Sequence, residues 1–358
     1  MHSGALWRGL IIRTGGRRSA GFPMRALSKL LVFLIVLFIL GGAAFAGWMW
    51  SFAHRPLNFR TTPLEVTIRP GSGLNVVARD LAEAGIAMRP WQFGLLGRLH
   101  GRETSIKAGT YRFPEALTPL QLLEKLARGD YVLMEVVFVE GWTYRQLRQA
   151  LDAHPDLRHD TTGLPDSELM TRIGAAPAHP EGRFFPDKYL FAKGSSDIEV
   201  LRQAYGQMER RLAAAWAERD PTLPLASPYE ALILASIVEK ETGTAADRAM
   251  IAGVFANRLR SRMLLQTDPT VIYGLGESFD GNLRKRDLVT DGPYNTYTRP
   301  GLPPTPIALP SQASLTAAVK PARTDALYFV ARGDGSSEFS RSLDEHNRAV
   351  SKYQKGGR

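Results

Sequence analysis

The chain has 358 residues, with 45 Lys and Arg against 35 Asp and Glu, 44% hydrophobic and 22% charged residues, 23 Pro, 33 Gly and no Cys. That length fits about two domains, and so ordinary a globular composition excludes a wholly disordered, collagen-like or multi-span membrane chain. Without Cys there are no disulfides, Cys-ligated zinc, iron–sulfur clusters or thiolate nucleophile.

The formal net charge of +10 is unevenly placed. Arg8, Arg13, Arg17, Arg18, Arg25 and Lys29 put six cations and no acid into the first 29 residues, which leaves +4 for the rest. Such a bias would ordinarily point to nucleic acid, but it stands directly before Leu30 to Trp50, 21 residues without a charge. At 1.5 Å per residue that stretch reaches about 30 Å, the hydrocarbon thickness of a bilayer. By the positive-inside rule residues 1–29 read as a cytoplasmic basic tail, 30–50 as a single transmembrane helix and the rest as extracytoplasmic, with no nucleic-acid partner. A cleaved signal peptide is the competing reading, since Gly41 to Gly47 is rich in small residues. The apolar stretch is longer than a signal h-region of about 7–15 residues, however, and it ends in Trp48 and Trp50, which suit a membrane interface. Met24, followed by Arg25 and Lys29, is an equally good start, which would make 1–23 an extension.

Residues 51–63 are polar, contain Pro56 and Pro63, show no periodicity and read as a linker. Leu64 to Ile68 alternates as a strand, Pro70 to Gly73 is a turn, and apolar residues at 74, 77, 78, 81 and 82 predict a helix closed by Gly85. A second helix is expected over Pro90 to Leu99 and a strand over Gly109 to Phe113. Thr118-Pro119-Leu120-Gln121 then opens a helix with a capping-box pattern that Gly129 ends. The span 64–133 is thus a small α+β module, and its strand, helix, helix, strand order resembles a LysM-like carbohydrate-binding module. Gly71-Ser72-Gly73 lacks a third glycine at dinucleotide spacing and any Gly-Lys-Ser/Thr, which argues against nucleotide binding.

A β-branched run, Val132 to Val139, opens a second domain over 134–352, with 353–358 as a tail. A helix is expected over Tyr144 to Ala153, a loop-rich connection over 154–180, an aromatic, turn-rich stretch over Glu181 to Tyr189, and a long amphipathic helix from about Asp197 to Arg219. The expected fold class is α+β: an N-terminal transmembrane helix, the small LysM-like module and a larger mixed α+β domain.

The seven His residues, at 2, 54, 100, 154, 159, 179 and 346, include no pair at the i, i+4 spacing of a helical zinc site, and there is no Gly-x-Ser-x-Gly elbow. Neither a metal nor a cofactor is expected. The informative segment is Ser227 to Gly243: Ser227 is an N-cap, Pro228 stands at N1, Glu230 at N3, and Gly243 suits the C-cap, so a helix spans about 228–242. At 100° per residue Glu241 lies over Leu234, Ile237 and Val238, whereas Glu239 points about 200° away over Leu232, Ala235 and Ser236. A carboxyl ending an apolar face is partly desolvated and keeps its proton near neutrality, as a general acid must. A solvated helix end is the plain alternative. Downstream, a helix over about Ala245 to Met263 leads into Leu265 to Gly274 and Tyr294 to Ile307, where amides, hydroxyls and aromatic rings gather on what read as ordered loops. That mixture suits sugar rings.

Several stretches in order carry a family resemblance: Leu234-Ala235-Ser236-Ile237-Val238-Glu239-Lys240-Glu241-Thr242, Gln266-Thr267-Asp268-Pro269-Thr270-Val271-Ile272-Tyr273-Gly274, Tyr294-Asn295-Thr296-Tyr297 with Gly301-Leu302-Pro303-Pro304, and Leu327-Tyr328-Phe329-Val330 with His346-Asn347. Over about 64–350 the chain resembles the MltG (YceG-like) endolytic murein transglycosylases. The resemblance implies a lyase that cleaves peptidoglycan glycan strands between N-acetylmuramic acid and N-acetylglucosamine without water, leaving 1,6-anhydromuramoyl ends. It assigns the catalytic acid to the second Glu of Glu-Lys-Glu, Glu241, and implies substrate binding by Gln266, Asp268, Thr270, Tyr294, Asn295, Tyr297 and Glu239. For Asp268 and Asn295 the alternative is turn shaping, and for Glu239 an ion-paired helper or surface role. Glu181, Phe185, Pro186 and Asp187 match the family's Glu-Gly-x-Phe-Pro-Asp pattern and read as structural, lining one side of a cleft. The chain departs from the family at Gly335 to Phe339, where a His is expected near Ser337, so that loop is assigned no role.

The implied setting is the inner membrane, with the catalytic domain periplasmic, nascent glycan as substrate, peptidoglycan synthases as neighbours and the ending of strand elongation as the outcome. Ordinary glycosidases need two carboxylates, and Asp268 is the residue that would supply the second. The competing class is a non-catalytic, membrane-tethered glycan-binding scaffold of the cell-wall machinery.

Overall fold

A computed structural model describes residues 24–175, 179–242 and 244–355. The basic segment 1–23 and the expected cap at Gly243 lie outside the described residues. The chain forms two compact units, the first including Gly71–Lys107 and Phe113–Gly129 with the described residues up to Val66, the second comprising Thr67–Pro70, Ala108–Arg112 and the rest from Asp130.

The first unit opens with α1 (Met24–His54), one helix of 31 residues. It is long and apolar enough to cross a membrane, and Leu27 and Leu30 to Leu40 expose their side chains. Its end differs from expectation. The helix continues through Ser51 to His54, and Met49, Ala53 and Leu57 are buried. Ser51, Phe52 and Ala53 tolerate helix, and the first residue that forces an exit is the one before Pro56. Along the chain the order β1 (Leu64–Ile68), α2 (Leu74–Glu83), α3 (Pro90–Leu99), β2 (Gly109–Phe113) and α4 (Pro119–Arg128) follows, with β1 and β2 in one two-stranded sheet, of which Thr67, Ile68 and Gly109–Arg112 count with the second unit. Thr118 and Gln121 make the expected capping box, and Gly129 closes α4 in the left-handed region at φ 76°.

The second unit starts its own sheet with β3 (Leu133–Val137), which pairs antiparallel with β4 (Lys188–Ala192) so that Val136 faces Tyr189. Between them lie α5 (Tyr144–Asp152) and α6 (Asp166–Arg172), the latter a short helix in the stretch expected to be loop. Next come α7 (Asp197–Ala217), α8 (Pro228–Glu241), α9 (Ala245–Arg260), α10 (Asp268–Leu275), α11 (Lys285–Val289) and α12 (Gln312–Val319), then an antiparallel hairpin of β5 (Tyr328–Ala331) and β6 (Ser337–Ser340), then α13 (Leu343–Val350).

Everything is arranged around α8. Residues 231–238 are all buried, in a core shared with α7, α9 and α12. The helical wheel separates Glu239 from Glu241 as expected, yet it does not divide an apolar from a polar face, because a helix enclosed on every side is apolar all round. Ser236 shows how such a helix accepts a polar atom: its Oγ donates to the Ile233 carbonyl at 2.7 Å and accepts from the Ile307 N–H at 3.0 Å. That bond ties the extended segment 305–309 to the helix.

Gly182 lies against the same segment. Its φ is 75°, and an added Cβ would collide with the Pro306 ring and come within 3.2 Å of the Ala308 carbonyl. Gly174, at φ 85°, has open space around it. Gly182→Ala is therefore expected to cost more stability than the roughly 1 kcal/mol of left-handed strain that Gly174→Ala incurs. Equal losses in denaturant unfolding would refute this packing of the 181–186 turn.

Candidate active site

Two buried or partly buried carboxyls with raised pKa values stand out in the second unit. Ser227 starts α8 as expected, its Oγ accepting the Glu230 N–H at 3.2 Å, and the helix ends at Glu241 with Thr242 extended. Glu241 is partly buried, and desolvation, with a smaller contribution from the charge of Asp268, pushes its carboxyl up to about 7. A hydrogen bond from Thr267 acts in the opposite direction. The hydroxyl Oγ1 of Thr267 donates to Oε1 of Glu241; Oε2 takes no hydrogen bond from a described residue.

Thr267 explains how the downstream motif reaches the acid. Read as loop, Gln266 to Gly274 is in fact the start of a helix: Thr267 is the N-cap of α10, with Asp268 and Pro269 in its first turn. Thr-Asp-Pro is a sound helix-start signal. An N-cap Thr normally accepts a hydrogen bond from its own helix. Here the cap bond is not made, and the hydroxyl turns to Glu241. The residue before it, Gln266, is held at φ 50°, a left-handed value uncommon for a non-glycine residue. Its N–H donates to the Thr296 carbonyl at 3.1 Å, and the Thr267 N–H donates to Thr296 Oγ1 at 3.1 Å.

The other expected site residues divide into two groups. Asp268 is exposed and accepts the Tyr297 hydroxyl at 2.5 Å, Gln266 is exposed, and Tyr294 lines a cavity; these can meet a ligand. Burial, then the adjoining Asp268, raises the Tyr297 phenol, so it stays protonated as a donor. Thr270 and Asn295 face inward. Thr270 is fully buried with its hydroxyl on the Thr267 carbonyl and Thr296. Asn295 is 5% exposed and its amide donates to the carbonyls of Asp287, Leu288 and Thr290. This is the turn-shaping alternative, achieved by saturating the amide.

Glu239 is also turned inward. One oxygen accepts from the N–H and hydroxyl of Ser311 at 2.9 and 2.5 Å, and the other lies 3.7 Å from Arg248. With its side chain 6% exposed, it pins the start of α12 through Ser311 and pairs with Arg248.

The second raised carboxyl is Glu181, also pushed up to about 7 by burial. It accepts from the Tyr144 N–H at 2.9 Å through one oxygen and from the Tyr273 hydroxyl at 3.1 Å through the other. Glu181 lies on the wall of a cavity of about 840 Å³ together with Tyr144, Arg145, Lys240, Tyr273 and Tyr294. The aromatic and polar lining is of the kind that holds sugar rings. Sequence reading placed Glu181 on one side of a cleft but missed its partner Tyr273. It also missed Arg258, which is buried, donates to the carbonyls of Leu264, Leu265 and Leu327, and acts electrostatically on Glu241. An Arg inside a helix gives no local signal of burial. Elsewhere, Asp152, His159 and Asp197 place ligand atoms within 4.8 Å of one another. The Asp197 carboxylate, however, already accepts from the N–H groups of Asp160 and Thr161 and from the Thr161 hydroxyl, which makes it a tie between α7 and the 158–161 loop.

The chain as a whole is similar to known proteins. The YceG-like family pattern aligns with residues 66–352. The chain belongs to that family. Among curated members, an endolytic murein transglycosylase of Bacillus subtilis (strain 168) is 30% identical over 309 residues, 82% of this chain and 85% of that protein. Another, from Streptococcus pneumoniae serotype 2, is 26% identical over 357 residues, 90% of this chain but 64% of the longer pneumococcal protein. A crystal structure of a YceG-like protein from Listeria monocytogenes superposes with a TM-score of 0.51 at 30% identity, covering 80% of this chain and 98% of that one. The YceG-like motifs quoted from the sequence fall on α8, on α10 and its approach, on the turns over 294–304, on β5 and on α13.

A raised carboxyl leaves a mark on stability. With a folded pKa near 7 against an ordinary 4.5, Glu241 binds more protons folded than unfolded, so its contribution declines as pH rises from about 4.5 to 7 and is constant above. Glu241→Gln keeps the Thr267 bond and removes this penalty. It is expected to be more stable than wild type at pH 8 by about 1–2 kcal/mol, the partial exposure allowed for, with the gap closing by pH 4. A gap that is constant with pH in thermal unfolding would refute the shift.

Proposed function

We propose that this chain is a membrane-anchored endolytic lytic transglycosylase that cuts nascent peptidoglycan strands between N-acetylmuramic acid and N-acetylglucosamine, with Glu241 as its single acid and base. Its family membership makes it a lyase of peptidoglycan, and the observation that carries the site assignment is the desolvated Glu241 carboxyl, held on one oxygen by Thr267. Because Thr267 occupies Oε1, the acidic proton resides on Oε2. That proton passes to the glycosidic oxygen as the C1–O bond breaks, giving an oxocarbenium-like state at C1 of the muramoyl ring. The resulting carboxylate then takes the proton of the C6 hydroxyl as O6 bonds to C1, which forms the 1,6-anhydro ring and restores the acid. One carboxyl is used twice and no water enters.

Asp268 does not act as a second catalytic carboxylate in this scheme. Its bond from Tyr297 makes the pair a positioning element beside the acid, and Gln266 and Tyr294 contact the sugars. The strand, helix, helix, strand order over 64–113 supports the LysM-like, glycan-holding reading of 64–133, followed by a catalytic domain over 134–352. The exposed apolar helix α1 supports a single inner-membrane span with the catalytic domain periplasmic. An enzyme so tethered acts on strands beside their synthases and ends their elongation.

Mass spectrometry of uncrosslinked glycan strands digested with the detergent-solubilised full chain tests the reaction. Anhydro ends are expected from wild type and none from Glu241→Gln. Reducing ends would indicate hydrolysis, and intact but bound strands from both proteins would indicate a scaffold.

The pH profile tests the acid separately. Activity is expected to fall as pH rises through about 7, where Glu241 loses its proton. Asp268→Asn removes a like charge and should move that limb to lower pH, whereas Thr267→Val removes a bond to the carboxylate and should move it higher. Limbs that shift together, or not at all, would count against Glu241 as the titrating group.

A further inference from the structure

The end of α1 carries more than an anchor requires. Trp48 stacks on Trp91 of α3, with ring centroids 5.6 Å apart and planes 18° from parallel, and Phe45 lies 5.9 Å from Trp48. The indole surface faces outward: Trp91 is 56% exposed and Trp50 67%. Met49 and Ala53, on the intervening turns of α1, are buried, so the helix is locked to the first unit at this level. Beside the stack is a cleft of about 520 Å³ whose lining includes Trp48, Phe52, Arg55, Ala87, Arg89 and Gln92. Arg55 and Arg89 are exposed, and neither makes an ion pair with a described residue.

The order of these groups follows the layers of a bilayer edge. Indole rings, apolar with one polar N–H, favour the interface between hydrocarbon and headgroups. Arg55, the residue after the end of α1, follows Trp48 by seven residues, six of them helical with a rise of about 9 Å, which carries it from that interface to the phosphate layer. Guanidinium groups bind phosphate oxygens through paired N–H donors.

We propose that the Trp48–Trp91 stack and the cleft holding Arg55 and Arg89 form an interfacial seat for the headgroup of an anionic phospholipid, which holds the first unit down on the outer face of the membrane. The proposal rests on α1 being a membrane span. A chain without Cys makes the test clean. Single-Cys variants Ala87→Cys, at the exposed rim of the cleft, and Leu37→Cys, in the middle of α1, are labelled with a fluorophore in full-length protein reconstituted into nanodiscs. Quenching by nitroxide placed on the lipid headgroup or deep in the acyl chain is then measured.

The label at position 87 is expected to be quenched by headgroup nitroxide and that at 37 by acyl-chain nitroxide. Trp91→Ser should reduce quenching at 87 and leave 37 unchanged. Nitroxide-labelled phosphatidylglycerol should quench position 87 more effectively than labelled phosphatidylcholine, and Arg55→Gln with Arg89→Gln should abolish the preference, each arginine near the surface contributing a factor of about five. A position 87 open to aqueous iodide and unquenched by lipid, with 37 still quenched by acyl chains, would overturn the seat and leave the span intact. Equal quenching by the two lipids in wild type would overturn the phosphate site. Loss of acyl-chain quenching at 37 would refute the span itself.

Discussion

The constraint on which the catalytic unit depends is the enclosure of α8. The helix is buried along 231–238, and in its last turn Lys240 reaches solvent while the two flanking carboxyls stay partly buried and meet different surroundings. Glu239 accepts two hydrogen bonds from Ser311 and pairs with Arg248, which ties it to the start of α12. Glu241 receives only the Thr267 hydroxyl from described residues and is left with the cost of desolvation, which keeps it protonated near neutrality. Two residues of the same type, two positions apart, thus acquire separate roles through what surrounds them.

The surrounding elements supply that difference. Thr267 is free to bond Glu241 because it leaves its own cap unmade, and the strained Gln266 backbone before it sets the angle at which the chain enters α10. The buried side chains of Thr270, Thr296 and Asn295 hold this entry from behind. Glu181 joins α5 to the same helix, α10, through Tyr144 and Tyr273. A site of this kind stores local strain and unpaid solvation in a few residues while the large core carries stability.

Much of this was legible in the residues. Ser227-Pro228 and the Thr118 capping box announce their helices through local chemistry, and Glu-Lys-Glu falls at a helix end as its spacing predicts. What could not be read was orientation. Asn295, Thr270 and Glu239 belong to types that bind sugars when exposed, and only the tertiary fold turns them inward. Gln266 to Gly274 read as loop because its polar residues mask a start signal at Thr267-Asp268-Pro269. Arg258 and the Tyr273 bond to Glu181 join positions 6 to 92 residues apart, partly beyond the reach of any local pattern. At the end of α1, polar residues and two prolines read as a linker, but the helix runs on into the core of the first unit.

That continuity has a mechanical consequence. With Met49, Ala53 and Leu57 all inside the first unit, α1 and the unit it enters rotate as one body, with no swivel between them. A membrane helix adjusts to bilayer thickness chiefly by tilting. If α1 spans a bilayer as proposed, it leans further in a thinner one and the first unit leans with it, so the thickness of the lipid layer becomes a variable that sets the attitude of the protein's first unit.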